Sequence, residues 1–193
     1  MTALHLEPLT PAGLDTFAEL LGASCFGGCF CAVWTSHDDT WAARCAYPSR
    51  PNLALTRAAV LAGRRAGYFV HADGALAGWI GAGPRTEFPL LEQKLGSRLG
   101  THDAQTWAIG CLSFLPRFRG AGLAAHAVTD TIKLARDAGA THVEAYPTRP
   151  WDEPRSYRGA HTMYARLGFE IRSTDRDGDA EILLMSLAVS QPA

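Results

Sequence analysis

A glycine-rich turn in the second half of the chain has the residue types that bind an anion. Residues 117–122 read Arg-Phe-Arg-Gly-Ala-Gly and lie between an apolar segment, 105–115, and a helical pattern that ends near 138. Glycine lets the backbone approach a ligand closely, and the first turn of a helix presents unpaired N–H groups at the positive end of the helix dipole. The two arginines add positive charge. The turn therefore predicts a site for a phosphate or diphosphate group.

The spacing within this turn excludes two common nucleotide-binding motifs. A P-loop requires G-x-x-x-x-G-K-[ST], and the dinucleotide fingerprint requires a third glycine, so neither is present. A short glycine motif is weak by itself. The alternative is a strand–turn–helix connection in which the glycines only permit close packing.

Composition narrows the class of protein. The 193 residues predict one domain, 1–193, and the net charge of −1 argues against a protein that binds nucleic acid by neutralising phosphates. No apolar run reaches the length of a membrane span, and the first ten residues do not resemble a secretory signal. An odd number of cysteines, five, favours reduced thiols. We therefore expect a cytoplasmic protein that does not contact a membrane.

The elements that must position the turn follow from periodicity and from Gly and Pro punctuation. Strands are predicted at 3–8, 67–72, 75–82, 105–115, 142–147, 169–174 and 180–188, and helices at 11–22, 52–65, 89–98, 120–138 and 156–167. Asp73-Gly74 predicts a tight hairpin turn. Residues 24–35 have no assignable pattern. Alternating strands and helices predict an α/β or α+β fold, with one sheet and flanking helices.

A second motif downstream gives the turn a family context. Residues 116–123 match a typical L-P-x-x-R-G-x-G-L run, and the downstream pattern A-x-x-x-Y-x-x-x-G-F is filled by Ala160, Tyr164, Gly168 and Phe169. In this order and spacing the motifs resemble the GNAT superfamily of acyl-CoA N-acyltransferases. The resemblance covers residues 105–174, and residues 1–100 match only in their order of elements.

The resemblance implies a fold, a donor and a reaction. The fold would be a single GNAT-like domain with a mixed, mostly antiparallel sheet that splays apart at the cofactor slot, between the strands 105–115 and 142–147. Residues 105–174 would form the acetyl-CoA-binding core, and residues 1–100 the acceptor-side half. Acetyl-CoA would donate an acetyl group directly to a primary amine of a small molecule or a peptide. Edge strands in this fold often pair, so a homodimer is possible.

The resemblance also implies cofactor contacts. Two backbone segments would bind the pantetheine amides and the pyrophosphate, and one further position, 157, would face the cofactor arm. These contacts are Leu112, Phe114, Arg117, Arg119, Gly120, Ala121, Gly122, Leu123 and Tyr157. Members often carry Asn where this chain has Tyr157. That departure keeps a second interpretation open: a CoA-binding sensor or interaction protein of the same fold with altered catalysis.

Candidate catalytic residues differ in how well the sequence defines them. Tyr164 is the candidate general acid, because a nearby phenol can protonate the thiolate that leaves; its alternative is a tyrosine that only packs in the core. Glu144, on the strand beside the slot, is the candidate base, and its alternative is a glutamate that faces solvent. Glu87, His102 and Asp103 are further possible bases from loops.

Residues 27–34, Gly-Gly-Cys-Phe-Cys-Ala-Val-Trp, are unusual in composition. With the run from Gly78 to Arg85, they resemble a C-x-C-x-x-W signature of one GNAT subgroup. Trp34, Trp79 and Arg85 are then candidates for the acceptor pocket, with Arg85 able to hold a carboxylate or phosphate.

A zinc site is the alternative interpretation of this segment. Its ligands would be Cys25, Cys29, Cys31 and Cys45, with His37 as a possible addition. The C-x-C spacing is poorer than C-x-x-C, and a second matched pair is missing. We therefore favour cysteines that pack in a tight segment, and no metal.

Overall fold

One mixed sheet organises the described residues, which in this computed structural model are 3–64, 67–91, 105–151 and 156–189. Within them the sheet has eight strands. They are β1 (Leu4–Pro8), β2 (Tyr68–Ala72), β3 (Ala75–Pro84), β4 (Thr106–Phe114), β5 (His142–Ala145), β6 (Thr148–Arg149), β7 (Glu170–Asp177) and β8 (Ala180–Ala188).

Six α-helices with defined bounds accompany the sheet in the described ranges. They are α1 (Leu14–Leu21), α2 (Ala32–Thr35), α3 (Trp41–Arg44), α4 (Pro51–Leu61), α5 (Leu123–Asp137) and α6 (His161–Arg166). None of the helices in the described part of the chain has both the length and the apolar character that a membrane crossing needs.

The order of the strands confirms the predicted mixed, mostly antiparallel sheet. β1 to β5 are neighbours in sequence order, β8 pairs with β5 and β6 on one side, and β7 pairs with the other side of β8. Only β4 and β5 run parallel; every other pairing in the described sheet is antiparallel. The single parallel pair requires a crossover connection, and α5 provides it.

Glycines with left-handed backbone explain why the predicted bounds of two helices were wrong. The helix predicted from residue 120 begins at Leu123, because Gly120 and Gly122 have φ of 78° and 76° and cannot belong to a right-handed helix. The helix predicted at 156–167 is broken by Gly159, with φ of 77°, into a 3₁₀ turn at 156–158 and α6.

Two other predicted elements have different outcomes. The hairpin between β2 and β3 is confirmed: Asp73 and Gly74 both have positive φ, 49° and 80°, as a type I′ turn requires. Of the helix predicted at 89–98, residues 89–91 are helical, and the remainder lies outside the described residues.

Helices cover both faces of the sheet, and apolar side chains fill the two layers between them. On one face α5 packs with Val128 and Ile132 against side chains such as Val70 and Ile80. On the other face Phe17 of α1 packs beside Trp79 of β3. Alternation along each strand directs successive side chains to opposite faces, so both faces acquire an apolar surface.

The alternation slips by one residue in the middle of β4. Gly81 of β3 pairs with Cys111 and its neighbour Ala82 pairs with Ile109, which leaves Gly110 as an extra residue in β4. This is a β-bulge. As a consequence Ile109 and Leu112, three residues apart, face the same layer, while Cys111 faces the other.

Candidate active site

A slot opens between β4 and β5 just beyond the bulge. Their parallel pairing ends at Ile109 opposite Ala145, whereas β4 continues to Phe114. After β5 the chain turns away and pairs through β6 with β8 instead. The two parallel strands therefore diverge where the sequence resemblance predicted a slot.

The glycine-rich turn follows β4 directly and leaves a row of backbone donors unpaired. Within the described residues, the N–H groups of residues 120–124 donate no hydrogen bond, and Gly122, which caps α5, has no side-chain cap. A Cβ placed at Gly120 or Gly122 would meet nothing within 4 Å. Glycine is therefore needed at these positions for the positive φ and not for close packing within the protein. The packing alternative for the turn is therefore not supported.

The two arginines of the turn are placed differently. Arg119 donates through Nε to the carbonyl of Phe114 at 2.8 Å, so its side chain folds back along the end of β4. Arg117 is exposed, and its guanidinium lies 4.8 Å from the centre of the Phe118 ring. A cation on a flexible, exposed side chain can reach an anion bound at the turn.

Tyr164 is completely buried beside the slot. Its hydroxyl donates to the carbonyl of Arg158 at 3.1 Å, and its ring meets Phe169 edge-on at 5.3 Å. Burial, together with the charge of Cys111, raises the pKa of Tyr164 well above its ordinary value. The phenol therefore keeps its proton at any pH at which the protein would work.

Glu144 does not face solvent, so that interpretation of this residue is wrong. It is only 7 % exposed and lies on the face of β5 opposite α5. Its Oε2 accepts hydrogen bonds from Arg85 at 3.0 Å and from the hydroxyl of Tyr146 at 2.7 Å. Arg85, itself 4 % exposed, is thus part of a buried ion pair at the end of β3 and does not lie on an open pocket wall.

The two candidate tryptophans lie in different environments. Trp79 is fully buried, packs edge-on against Phe17 and Phe69, and donates its indole N–H to the sulfur of Cys31. An acceptor cannot reach it in this conformation. Trp34 is also buried, but it lies at the slot: its Nε1 donates to the bulge carbonyl of Gly110 at 2.7 Å.

A buried cation lies over Trp34. The guanidinium carbon of Arg158 is 5.1 Å from the indole ring and 5.6 Å from the ring of Tyr157, and its Nε donates to the Tyr157 hydroxyl at 3.1 Å. Burial raises the pKa of Tyr157 above its ordinary value. Tyr157 packs beside Trp34 and Cys111, on the face of the sheet opposite α5.

The cysteines do not assemble into the zinc site that the sequence left open. In the described ranges, no group of three or more His, Cys, Asp and Glu side chains could hold a metal ion. Cys25 is exposed, and Cys45 donates to the carbonyl of Trp41, whereas Cys31 is buried against β3 and β4.

A cavity of about 450 Å³ lies in the first half of the chain. Its walls come entirely from residues 22–30 and 45–50. Phe30 forms part of its wall, and the next residue, Cys31, contacts β4. Three non-glycine residues around it, Phe30, Cys31 and Arg50, have left-handed backbone with φ of 46°, 62° and 51°. Strained backbone of this kind clusters at binding sites.

Several residues at the slot were not found by sequence reasoning. Gly110 had a usable signal, because an isolated glycine in a strand pattern indicates a bulge. Tyr146, Arg158 and Cys111 had none, since what brings them to the slot is contact with Trp34 and Cys31, which are distant in sequence. The remaining candidate bases differ: Glu87 follows β3 in a 3₁₀ turn, and His102 and Asp103 lie outside the described residues.

Comparison with known sequences identifies one family. Residues 31–169 match the Acetyltransferase (GNAT) family, a span that covers well over half of the chain. No curated protein matches the sequence.

Solved structures of the same architecture match the chain over nearly its whole length. Aminoglycoside acetyltransferase AAC(6')-Ib in complex with coenzyme A aligns with a TM-score of 0.61 and 20% identity, over 96% of this chain and 95% of that one. The paiA N-acetyltransferase from Thermoplasma acidophilum, also with coenzyme A, gives 0.55 and 13%, over 96% and 99%. An N-acetyltransferase from Staphylococcus aureus Mu50 gives 0.57 and 11%, over 97% and 99%. At these identities the likeness shows the fold.

Proposed function

The chain belongs to the acetyltransferase (GNAT) family, and we propose that it transfers an acetyl group from acetyl-CoA directly to a primary amine of a small molecule or peptide. The row of unpaired N–H groups over residues 120–124 carries this proposal. Those donors lie at the start of α5, directly after a strand that has lost its parallel neighbour. A diphosphate and an extended thioester arm need those two features side by side.

The residues of the turn fit a CoA diphosphate on physical grounds. Gly120 and Gly122 leave open space where side chains would project, and the dipole of the fifteen-residue helix α5 favours negative charge at its N-terminus. Arg117 is exposed beside the turn. Along β4, a pantetheine amide would share or replace the bond that Arg119 makes to the Phe114 carbonyl. The implied backbone contacts at Leu112 and Phe114 remain part of the proposal.

Acetyl-CoA supplies the acetyl group as a thioester, which an uncharged amine can attack. The chain's own residues bind the phosphates, exclude water and manage two protons. Tyr164 holds a proton on its hydroxyl because burial and the charge of Cys111 raise its pKa. That proton can be given to the leaving sulfur, provided the hydroxyl turns away from the Arg158 carbonyl. The proposed role of Tyr164 as general acid rests on its position beside the slot, because a raised pKa keeps the proton on the phenol but makes it a weaker donor.

The proton of the acceptor ammonium is proposed to reach Glu144. Arg85 and Tyr146 both donate to the same oxygen of this carboxylate, Oε2. Tyr146 is the residue that immediately follows β5, where the slot opens. The path that fits is a relay in which the Tyr146 oxygen takes a proton as its own passes to Glu144. Arg85 then holds the Glu144 carboxylate in place through the ion pair and does not bind the acceptor directly.

The acceptor would lie on the face of the sheet that carries Trp34. This side chain, with Tyr157 and the Arg158 guanidinium, forms an aromatic and cationic wall beside the bulge. Trp79 is left out of the proposed pocket, because its ring is enclosed by Phe17 and Phe69.

A second candidate function is a CoA-binding sensor or interaction protein of the same fold. One observation favours it: the two main candidate catalytic groups are engaged internally, with Tyr164 on a backbone carbonyl and Glu144 in a buried ion pair. Both functions predict binding of acetyl-CoA. Only the enzyme releases CoA thiol in the presence of an amine.

Two measurements test the proposal. Acetyl-CoA should raise the melting temperature, since a ligand that binds the native state stabilises it. A thiol-release assay with a panel of primary amines should then show turnover. Stabilisation without turnover on any amine would favour the sensor, and absence of stabilisation would exclude both functions.

The chain offers a matched control for the turn. Gly120 and Gly139 both have left-handed φ, 78° and 84°, and a Cβ at either would meet nothing within 4 Å, but Gly139 lies at the other end of α5. Alanine at each position should cost stability by about 1–2 kcal/mol from backbone strain. Only Gly120→Ala should weaken acetyl-CoA binding, by roughly tenfold. Equal affinities for the two variants would place the diphosphate elsewhere.

A further inference from the structure

A cluster of thiols lies on the face of β4 opposite α5, next to the slot. We call it the thiol cluster; it consists of the buried Cys31 and Cys111 and the half-buried Cys29. Cys111 is the first residue of β4 beyond the bulge, and Cys31 is the residue before α2, which carries Trp34. Apart from the effect of Cys111 on the pKa of Tyr164, the proposed acetyl transfer gives these thiols no role.

Hydrogen bonds link Cys31 and Cys111 with their neighbours. The indole N–H of Trp79 donates to Cys31 Sγ at 2.9 Å. The thiol of Cys31 is hydrogen-bonded to that of Cys111, and Cys111 Sγ lies 3.3 Å from Ser113 Oγ. The two cysteines are 80 positions apart in sequence, and both pack against Gly81 of β3.

The backbone is shaped to allow this contact. A Cβ at Gly81 would lie 3.0 Å from both Cys31 Sγ and Cys111 Cβ, so only glycine leaves room for the two cysteines to meet over β3. Cys31 has left-handed φ of 62°, a conformation that L-residues rarely adopt and that turns its side chain towards the sheet.

The thiols differ in acidity. The hydrogen bond to Cys111 and burial raise the pKa of Cys31, and burial raises that of Cys29 to about 12. The same hydrogen bond from Cys31, with the one from Ser113, lowers the pKa of Cys111. Cys111 is therefore the thiol of the cluster that forms a thiolate first, and the thiolate is the nucleophile.

We propose that Cys31 and Cys111 are a peroxide-sensitive pair that forms a disulfide, and that this bond reduces acetyl transfer. Cys111 attacks one oxygen of hydrogen peroxide, which gives a sulfenic acid and releases the first water. The sulfur of Cys31 then displaces the hydroxyl from Cys111, forms the S–S bond and releases the second water. Two thiols lose two electrons and two protons, and one peroxide is reduced to two waters.

The effect on activity rests on the proposed function. Cys111 interacts electrostatically with Tyr164 and Tyr157, so its conversion to a neutral disulfide changes the environment of the general acid. The disulfide would also join the residue before α2 to β4 next to the bulge, close to the hydrogen bond between Trp34 and Gly110. An acceptor wall fixed in this way cannot adjust as the slot fills.

Peptide mapping tests the disulfide without any assay of activity. The purified full chain, treated with hydrogen peroxide and alkylated under denaturing conditions, should lose two of its five thiols. The peptides containing Cys31 and Cys111 should be linked, and dithiothreitol should separate them. Five thiols after treatment, or a link through Cys29, Cys25 or Cys45, would overturn the proposal.

Variants separate the pair from the other cysteines. Cys25→Ser and Cys45→Ser should still form the bond, because these thiols lie outside the cluster. Cys111→Ser and Cys31→Ala should not form it, and circular dichroism checks that each is folded. If either of the last two still loses two thiols at the same rate, the pair is wrongly assigned.

The activity arm uses acetyl-CoA and an amine found in the panel. Peroxide should lower turnover at least fivefold, and dithiothreitol should restore it. In Cys111→Ser, turnover should not respond to peroxide. A mapped disulfide with unchanged turnover would reject the effect on acetyl transfer. If the protein shows no turnover on any amine, the proposed function is wrong, and the peptide mapping alone then decides whether the disulfide forms.

Discussion

Trp34 and Gly110 hold helix α2 against the β4 bulge through one buried hydrogen bond of 2.7 Å between the indole N–H and the glycine carbonyl. The approach is possible only at glycine, because a Cβ on residue 110 would lie 2.5 Å from Trp34 Cδ1. The bulge exposes a carbonyl that no longer belongs to the ladder, and the indole satisfies it. A tryptophan from the first half of the chain thus defines the shape of the slot.

Replacement of Trp34 by phenylalanine should destabilise the fold. Phenylalanine is smaller than the indole and leaves a small cavity, and the Gly110 carbonyl is left buried without its donor, which by itself costs about 1–3 kcal/mol. Urea denaturation measures the change. Trp151→Phe is the matched control, because Trp151 is exposed and should lose less than about 0.5 kcal/mol. Equal losses in the two variants would show that the hydrogen bond contributes little.

Neutralisation of Glu144 should cost far more than neutralisation of a surface carboxylate. Glu144→Gln removes the negative charge from a buried ion pair with Arg85, and removal of one partner from such a pair costs about 3–5 kcal/mol. The control is Glu181→Gln, which breaks the exposed pair with Arg149 at about 0–1 kcal/mol. Chemical denaturation of both variants at one pH compares them. Similar losses would mean that water screens the Arg85–Glu144 pair.

Residues that end strands and helices, above all glycine, made most elements predictable from sequence. Asp73-Gly74 specified the β2–β3 turn because both residues must adopt positive φ there. Gly139 terminated α5, which ends at Asp137. In each case the information is local: a residue type that is sterically suited to one backbone conformation. Gly159 carried the same kind of information and was overlooked within an apparently helical pattern.

The slot was less predictable because its geometry comes from contacts between distant residues. β4 is apolar on both faces, so the one-residue slip at Gly110 leaves the hydrophobic pattern unchanged. Arg85 and Glu144 are 59 positions apart, and only the parallel β4–β5 crossover brings them together. Trp79 and Trp34 both follow small or apolar residues. Nothing in their local sequence shows that Trp79 packs in the core whereas Trp34 lies at the slot.

The free energy of unfolding should fall as the pH rises above about 9. The folded pKa of Cys29 is about 12 against an ordinary value of 9.0, and those of Cys31 and Tyr164 are raised as well. Between the two values the unfolded thiol releases its proton while the folded one keeps it. The native state then binds more protons, and each such group costs up to about 1.4 kcal/mol per pH unit.

Cys111 has the opposite effect on the free energy of unfolding, since its pKa is lowered in the folded protein. Its contribution to stability increases with pH only below 9.0, the ordinary pKa of a thiol, and is constant at higher pH. Urea midpoints measured from about pH 8 to pH 11 should therefore decline only in the upper part of the range. Cys29→Ala should decline less steeply than the unaltered protein, and the same slope in both would contradict the assignment.

Removal of the Tyr164 hydroxyl should separate catalysis from binding. Tyr164→Phe keeps the edge-on contact with Phe169 but removes the proton donor for the leaving sulfur. Turnover should fall about 100-fold or more, with acetyl-CoA affinity changed less than about twofold. Steady-state thiol release and isothermal titration with acetyl-CoA measure the two quantities.

The same variant also loses the hydrogen bond to the Arg158 carbonyl, which should lower stability by about 1–3 kcal/mol. Assays are therefore performed well below the melting temperature of the variant, with the exposed Tyr47→Phe as control. A packing tyrosine would show the stability loss with full turnover in the fraction that is folded. A general acid shows both losses, and the fall in turnover then persists at every temperature at which the variant is fully native.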